Sequence, residues 1–549
     1  MKRTYTVFSF FLLLSTNTLF GQENKYGEFS GNFQTNTQFY VRDDRIGANT
    51  IQYLRQKSST DAWLFMNYKF QGFDITARYD VFNNSPLLNP QQSYTNGGIG
   101  YWSIKKSIAK LTLTGGYFYD QFGTGAAFRA FEDRLIGLDY AVRGIHAEYQ
   151  ISDSWKVKAF TGQQKGFLDL ATNEDTRFTV SPQVVKGVYT DKRFQIKKEL
   201  SLDIAGGVVN RTLDGETLNR IISEVNGLPI EERFQPKSNT YVMTGAFTLN
   251  YKGFAWASEY NYKTAEALRN PFTQQLYGSD GSVLFTSLGY SQMGLGINAS
   301  YKRVETYQFR SSPYNVLLNG QVTYLPSITR QNVYRLLARY IPVVQELGEN
   351  AFAADVLWTP NKHFTINANF AWVDGIDGKH LYEEYYLDVL YKHSRKLKIQ
   401  LGIQSVFYSQ SIYQLSPVAP DVRTITPFTE VTYKLSMKQS LRFEAQYLHT
   451  RQDLGSFVNA LIEYNFAPHW SFSVGDMVNT APVRTVGTPQ ELISDEIIHY
   501  YNLFMSYQMN STRFTVNYLK QVQGVNCTGG ICRVEPAFSG FRIGLITNF

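Results

Sequence analysis

The sequence predicts an all-β protein, a single large transmembrane antiparallel β-barrel of about 24 to 26 strands. Three observations predict it. Apolar and polar residues alternate in segments of about ten residues, the length with which a tilted strand crosses a bilayer. Short polar turns and long loops take turns between those segments. Mean hydropathy is −0.28 although aromatics make up 15% of the chain, and beyond the N-terminus no apolar run reaches the roughly 20 residues a membrane helix needs.

The alternation is clearest in Gly27 to Val41, where Phe29, Phe33, Phe39 and Val41 share one face and Asn32, Gln34, Asn36 and Gln38 the other. A face of amides suits water and not a packed core. Phe73, Ile75, Tyr79 and Val81 alternate in the same way with Asp74, Thr76, Arg78 and Asp80. Phe364, Ile366, Phe370 and Trp372 alternate with Thr365, Asn367 and Asn369, and Leu441, Phe443 and Tyr447 with Arg442, Glu444 and Gln446. The closing stretch "GFRIGLITNF" (540–549) has the same period and is expected to close the barrel against the first strand. Short turns such as 70–73, 251–254 and 509–512 would face the periplasm, and longer loops such as 42–60, 120–140 and 212–239 the exterior. Residues 306–350 fit either a further hairpin or an external cap, and Leu336, Leu337 and Tyr340 also fit a short helix.

"MKRTYTVFSFFLLLSTNTLFGQ" has a basic start, an apolar stretch too short to anchor and a small residue at Gly21, so residues 1–21 read as a cleaved signal peptide and 22–549 as the barrel with long external loops. The location this implies is the outer membrane of a Gram-negative cell. Without the signal peptide, 46 acidic residues face about five more basic ones, too small an excess over this length to suggest nucleic acid. Alternation begins within a few residues of the cleavage point, which leaves no room for an N-terminal plug. Inward-folded external loops, or else a partner chain, are expected to fill so wide a lumen. In "DGETLNRIISEVNGLP", Asp214 is the expected N-cap of a helix whose stripe of Leu218, Ile221, Ile222 and Val225 would bury at the barrel mouth.

The stretch Gly115 to Tyr149 resembles an uncharacterised outer-membrane β-barrel family of Bacteroidota, a porin-like domain of unknown function. Phe118-Tyr119, Gln121-Phe122-Gly123, Gly125, Arg129, Glu132-Asp133-Arg134, Gly137 and Arg143-Gly144 carry the resemblance, with Tyr290 to Glu305 and the C-terminal "CTGGICR". The resemblance implies fold and location and brings no activity or site residues with it.

Asp120, Arg129, Glu132, Asp133, Arg134 and Arg143 crowd one long loop with Gly123, Gly125 and Gly137. Folded inward, such a loop would form a charged constriction; ion pairs that merely hold the loop in place predict the same residues. By parity Asp74, Arg78, Asp80, Glu259, Glu384, Asp388, Arg442 and Glu444 face the lumen, in mixed signs that argue against sharp charge selection. Cys527 and Cys532, the chain's 2 cysteines, are expected to form a disulfide in an exported chain; a metal pair would want further ligands nearby. Tyr117, Tyr119, Tyr260, Tyr262, Tyr385, Tyr391, Tyr433 and Tyr518 would suit stacking on sugars, but an aromatic girdle at the two interfaces predicts the same residues and is the default reading. His-Glu-x-x-His, Cys-x-x-Cys and Gly-x-Ser-x-Gly are missing. His449 has no assignable serine partner. No catalytic residue, metal or cofactor is expected.

The reading that results is a channel or passive transporter for small solutes, narrowed by inward-folded loops. The alternative is a non-transporting scaffold or accessory subunit of an outer-membrane export or assembly complex. Expected partners are outer-membrane lipid, the barrel assembly machinery and proteins at the surface or periplasmic face.

Overall fold

A strand that alternates apolar and polar residues must find a hydrogen-bonded neighbour on each side, and here every strand of the wall does so by closing a ring. The computed structural model describes residues 26–549 except 91, 170–173, 271–272, 316–317, 415–416, 483–496 and 529–530. Residues 1–21, read as a signal peptide, and the side chains of Cys527 and Cys532 lie outside the described residues. The backbone does place those two cysteines directly opposite each other, on the paired strands Gly524–Thr528 and Ile531–Glu535.

The wall is one 24-stranded antiparallel sheet. Each strand pairs with the next along the chain from Glu28–Tyr40 onward, and the last, Phe538–Asn548, pairs with Thr512–Gln521 on one side and with Glu28–Tyr40 on the other. The expected final seam therefore forms, in the register Asn32 to Asn548 and Phe39 to Phe541. Strands reach 18 residues at Val180–Lys197, longer than the ten-residue period implied.

The pleat sorts the two faces as alternation requires. Phe29, Phe364 and Phe443 are 57%, 38% and 42% exposed, whereas Glu444 beside Phe443 is 5% exposed. An apolar outside around a polar inside inverts a soluble sandwich and is the arrangement a barrel in hydrocarbon demands.

The stretch left open at 306–350 contributes no wall hairpin. Leu295–Glu305 pairs directly with Gly348–Asn361, Glu305 opposite Gly348, so 306–347 is one long loop. Pro313, Pro326 and Pro342 lack the N–H a ladder needs. Around Leu336 the chain makes a single turn, Ala338 N donating to Tyr334 O at 2.9 Å, and not a helix. Its Tyr307, Phe309, Leu336, Leu337 and Tyr340 are buried inside the barrel.

The expected helix is Gly215–Asn226, with the Asp214 carboxylate accepting from Glu216 N and Thr217 N. Ile221 and Val225 pack at the mouth on Ala267, Leu276 and Tyr314. Ile222 is exposed, because one turn of a short helix has room for only part of that stripe on the wall.

The seam holds the ring shut, and Gly540 sits in it opposite Tyr40 with φ +149°. A Cβ there would stand 2.0 Å from Phe39 O. Gly540→Ala is expected to lower stability by about 1–3 kcal/mol through backbone strain alone, more once the clash is added, read as a lower unfolding midpoint in urea and loss of the compact band on unheated gels.

Candidate functional site

The site is the filled part of the lumen, and two loops build it. Loop 119–141 folds inward as two small hairpins, Asp120–Phe122 with Phe128–Ala130 and Glu132–Asp133 with Leu138–Asp139. Phe122, Ala127 and Phe128 are buried against Phe160, Val185 and Tyr189 of the wall, so the loop has its own apolar underside. Loop 306–347 crosses beside it. The two join through Arg129 N to Val322 O and Tyr324 N to Gly125 O, both 2.9 Å, and through Tyr307 OH to Ala126 O at 2.9 Å.

Arg78 is the hub of the first loop's attachment. Its guanidinium, from strand Phe73–Ser85, holds Asp80 at 2.6 Å, Glu132 at 2.5 Å and Asp139 at 2.7 Å. Lys165 of the wall reaches Asp139 at 2.6 Å and Gly100 O at 2.5 Å. Tyr119 OH donates to Asp139 at 2.9 Å. Burial opposes ionisation of Asp139, but Lys165 and Arg78 outweigh it and hold that carboxyl well below the usual carboxylate range. Burial raises Glu132, an effect that Arg78 only partly offsets.

Two further anchors complete it. At one, Asp120 accepts from His146 at 2.9 Å and Lys158 at 2.5 Å, and the pair overcomes burial to lower its pKa. At the other, Glu259 accepts from Thr124 N at 2.8 Å, Thr124 Oγ1 at 3.1 Å and Asn261 at 3.0 Å. Gly123, at φ +53°, makes that corner possible, since a Cβ would lie 2.4 Å from a Glu259 oxygen.

The expected constriction residues divide by role. Arg134 reaches Gln34 at 2.9 Å and lies 4.6 Å from the centre of the Phe65 ring. Asp133 caps its own turn, accepting from Leu135 N at 3.0 Å. Arg129 sits between the rings of Phe131 and Tyr324, 4.2 and 4.0 Å from their centres. Arg143 belongs to strand Val142–Ser152 and not to the loop; it shares the parity of exposed Ile145 and Tyr149, and its guanidinium lies 6.0 Å from the Tyr117 ring centre.

The wall charges meet the second loop. Glu384 accepts from Gln404 at 2.8 Å, Tyr382 at 3.0 Å and Asn332 at 3.3 Å. Asp388 takes Asn367 at 3.1 Å, Gln400 at 3.1 Å and Arg330 at 3.9 Å. Arg442 bridges Glu430 at 2.9 Å, Glu463 at 3.2 Å and Glu444. Asp74 is half-buried near the short-turn end, paired in register with Lys69. Lys165, Lys158, His146, Arg339 and Asp453 also work here. Arg339 and Tyr340 of the second loop reach Asp453 at 3.2 and 2.9 Å. The inward parity of Lys158 could have flagged it; Asp453 lies in a turn, where no period points anywhere.

His449 has a serine within 3.3 Å, Ser456. That hydroxyl donates to Thr450 O at 3.1 Å and its residue is 2% exposed, which describes a structural bond in a turn. Among the described residues, no group of three or more His, Cys, Asp or Glu could hold a metal ion.

Arg78→Ala would leave Asp80, Glu132 and Asp139 buried around a missing cation, and breaking such a network costs about 3–5 kcal/mol. Expected outcomes are a lower midpoint of thermal unfolding in detergent and new protease cleavage within 119–141.

Solved structures with a distant likeness to this chain can be named. They include the P pilus usher PapC translocation pore (TM-score 0.46, 9% identity, covering 95% of this chain and 99% of that one). The ferric-catecholate import receptor Fiu from E. coli K12 gives 0.39, 9%, 95% and 81%, and the copper transporter OprC 0.41, 9%, 96% and 82%. These values speak to no shared function. No curated protein matches the chain. One family profile matches residues 1–549 in full, and by it the chain belongs to DUF6029, a family of unknown function.

Proposed function

We propose that this chain is an outer-membrane barrel that passes small polar solutes, its lumen narrowed by loops 119–141 and 306–347 folded in from the exterior. The observation that carries this reading is the joint attachment of both loops inside a closed, polar-walled barrel. Loops present only to cover a mouth would not need Arg78, Glu259 and Glu384 deep on the wall to hold them. In this reading the short turns face the periplasm, residues 1–21 direct export, and the two loops take the place of a separate plug.

The network around Arg78 sets the shape of the remaining path, and its mixed charges favour selection by size over selection by sign. Asp120, Glu132 and Arg134 border the narrowing. Arg129 and Asp133 stiffen it, and Arg143 supports the wall behind it. Ring and carboxylate chemistry on the wall is taken up by these attachments, which supports a conduit over an enzyme.

Single-channel recording in planar bilayers tests the proposal. Steady conducting steps are expected, with larger steps after deletion of 123–137 and a shift in the same direction in Glu259→Ala, which releases Thr124. Electrical silence in all three proteins, with partner proteins co-purifying stably, would overturn the channel in favour of a scaffold or accessory subunit.

A further inference from the structure

One cavity in the lumen is bordered by loop 119–141. It measures about 430 Å³ and lies between the closing seam and the tip of loop 119–141, where Arg134 and Leu135 border it. Leu135 is 73% exposed although it hangs inside the barrel, so the tip faces open space and not a packed wall.

The lining has a definite chemistry. Asn36, Gln38 and Asn517 present amides, Arg542 a guanidinium, and Trp63 and Phe504 apolar rings. Among the described residues, Trp63 Nε1, Asn517 Oδ1 and Arg542 Nε have no hydrogen-bond partner, and Trp63 is 1% exposed. Buried polar groups are rarely left in that state, and several around one cavity point to a partner that enters it. An amide sets a donor beside an acceptor, which matches neighbouring hydroxyls, and an aromatic ring covers the C–H face those hydroxyls leave bare. Arg134 and Arg542 are balanced in the same lining by Asp61 and Glu535, so a ligand with net charge gains nothing from the site as a whole. The volume is within the usual range for a small-molecule site.

We propose that this cavity binds a neutral polyhydroxylated solute of mono- or disaccharide size. Its role as a stopping point for cargo beside the narrowing rests on the channel reading; its binding does not.

Calorimetry on the purified full chain in detergent tests this, with glucose and maltose as neutral probes, glucuronate as the anion and glucosamine as the cation. Binding of glucose or maltose is expected, weaker by about tenfold in each of Gln38→Ala and Asn517→Ala. Trp63→Phe, which keeps the ring packing and removes the N–H, is expected to weaken it likewise, and Thr432→Ala, outside the cavity, to leave it unchanged. No heat from either neutral sugar, tighter binding of either charged probe, or affinity indifferent to the cavity variants would overturn the proposal. Sugar binding without ion conductance would keep the cavity and sink the channel; conductance without sugar binding would do the reverse.

Discussion

A backbone N–H or C=O turned toward hydrocarbon has no water to bond, so a strand in a bilayer must be paired along both edges. Every other feature of this molecule follows from meeting that demand with a ring of 24 strands. Closure removes the edges, but a ring that wide cannot be filled by the inward side chains of its own wall. Something must occupy the middle, and it must be polar enough to meet a wall of Asn, Gln, Glu and Arg. Two loops do this by carrying an apolar underside, such as Phe122 and Phe128, together with charged ends that pair to the wall.

The charges are costly in such a place. Asp139, Lys165, Arg78 and Asp80 are almost wholly removed from solvent, and desolvation of each ion must be repaid by geometry. The geometry does repay it: Arg78 meets three carboxylates, and Asp139 takes two cations, a phenol and a backbone N–H. An apolar substitute could fill the same volume without fixing the loop's orientation. The ionic form fixes both hairpins relative to the wall.

The wall was legible in the sequence because its signal is the simplest one available, a period of two repeated over many segments. Phe29 against Asn32 and Phe443 against Glu444 needed only parity. The acids and bases of loop 119–141 stood out as well, by density. Which of them touch was not legible: Arg78 and Glu132 lie 54 residues apart and meet only because the barrel curves. Loop 306–347 was ambiguous because Leu336, Leu337 and Tyr340 are apolar for a reason unrelated to either period; they pack on inward-facing residues of the wall such as Tyr386, Tyr408 and Phe428. Its prolines at 313, 326 and 342 are the sign in the sequence that no ladder runs through it. Asp453 and Arg339 lie in irregular chain, where neighbours in space are set by the rest of the fold.

The bonds between the loops have a consequence for how they can move. Arg129 lies against Tyr324, and Gly125 accepts from the same residue's amide, so each segment forms part of the other's solvation shell. Withdrawing one strips its companion of hydrogen bonds and bares the ring beneath. Displacement is thereby cooperative: the energetic barrier belongs to the pair, and the interior has reason to switch between discrete states instead of widening by degrees.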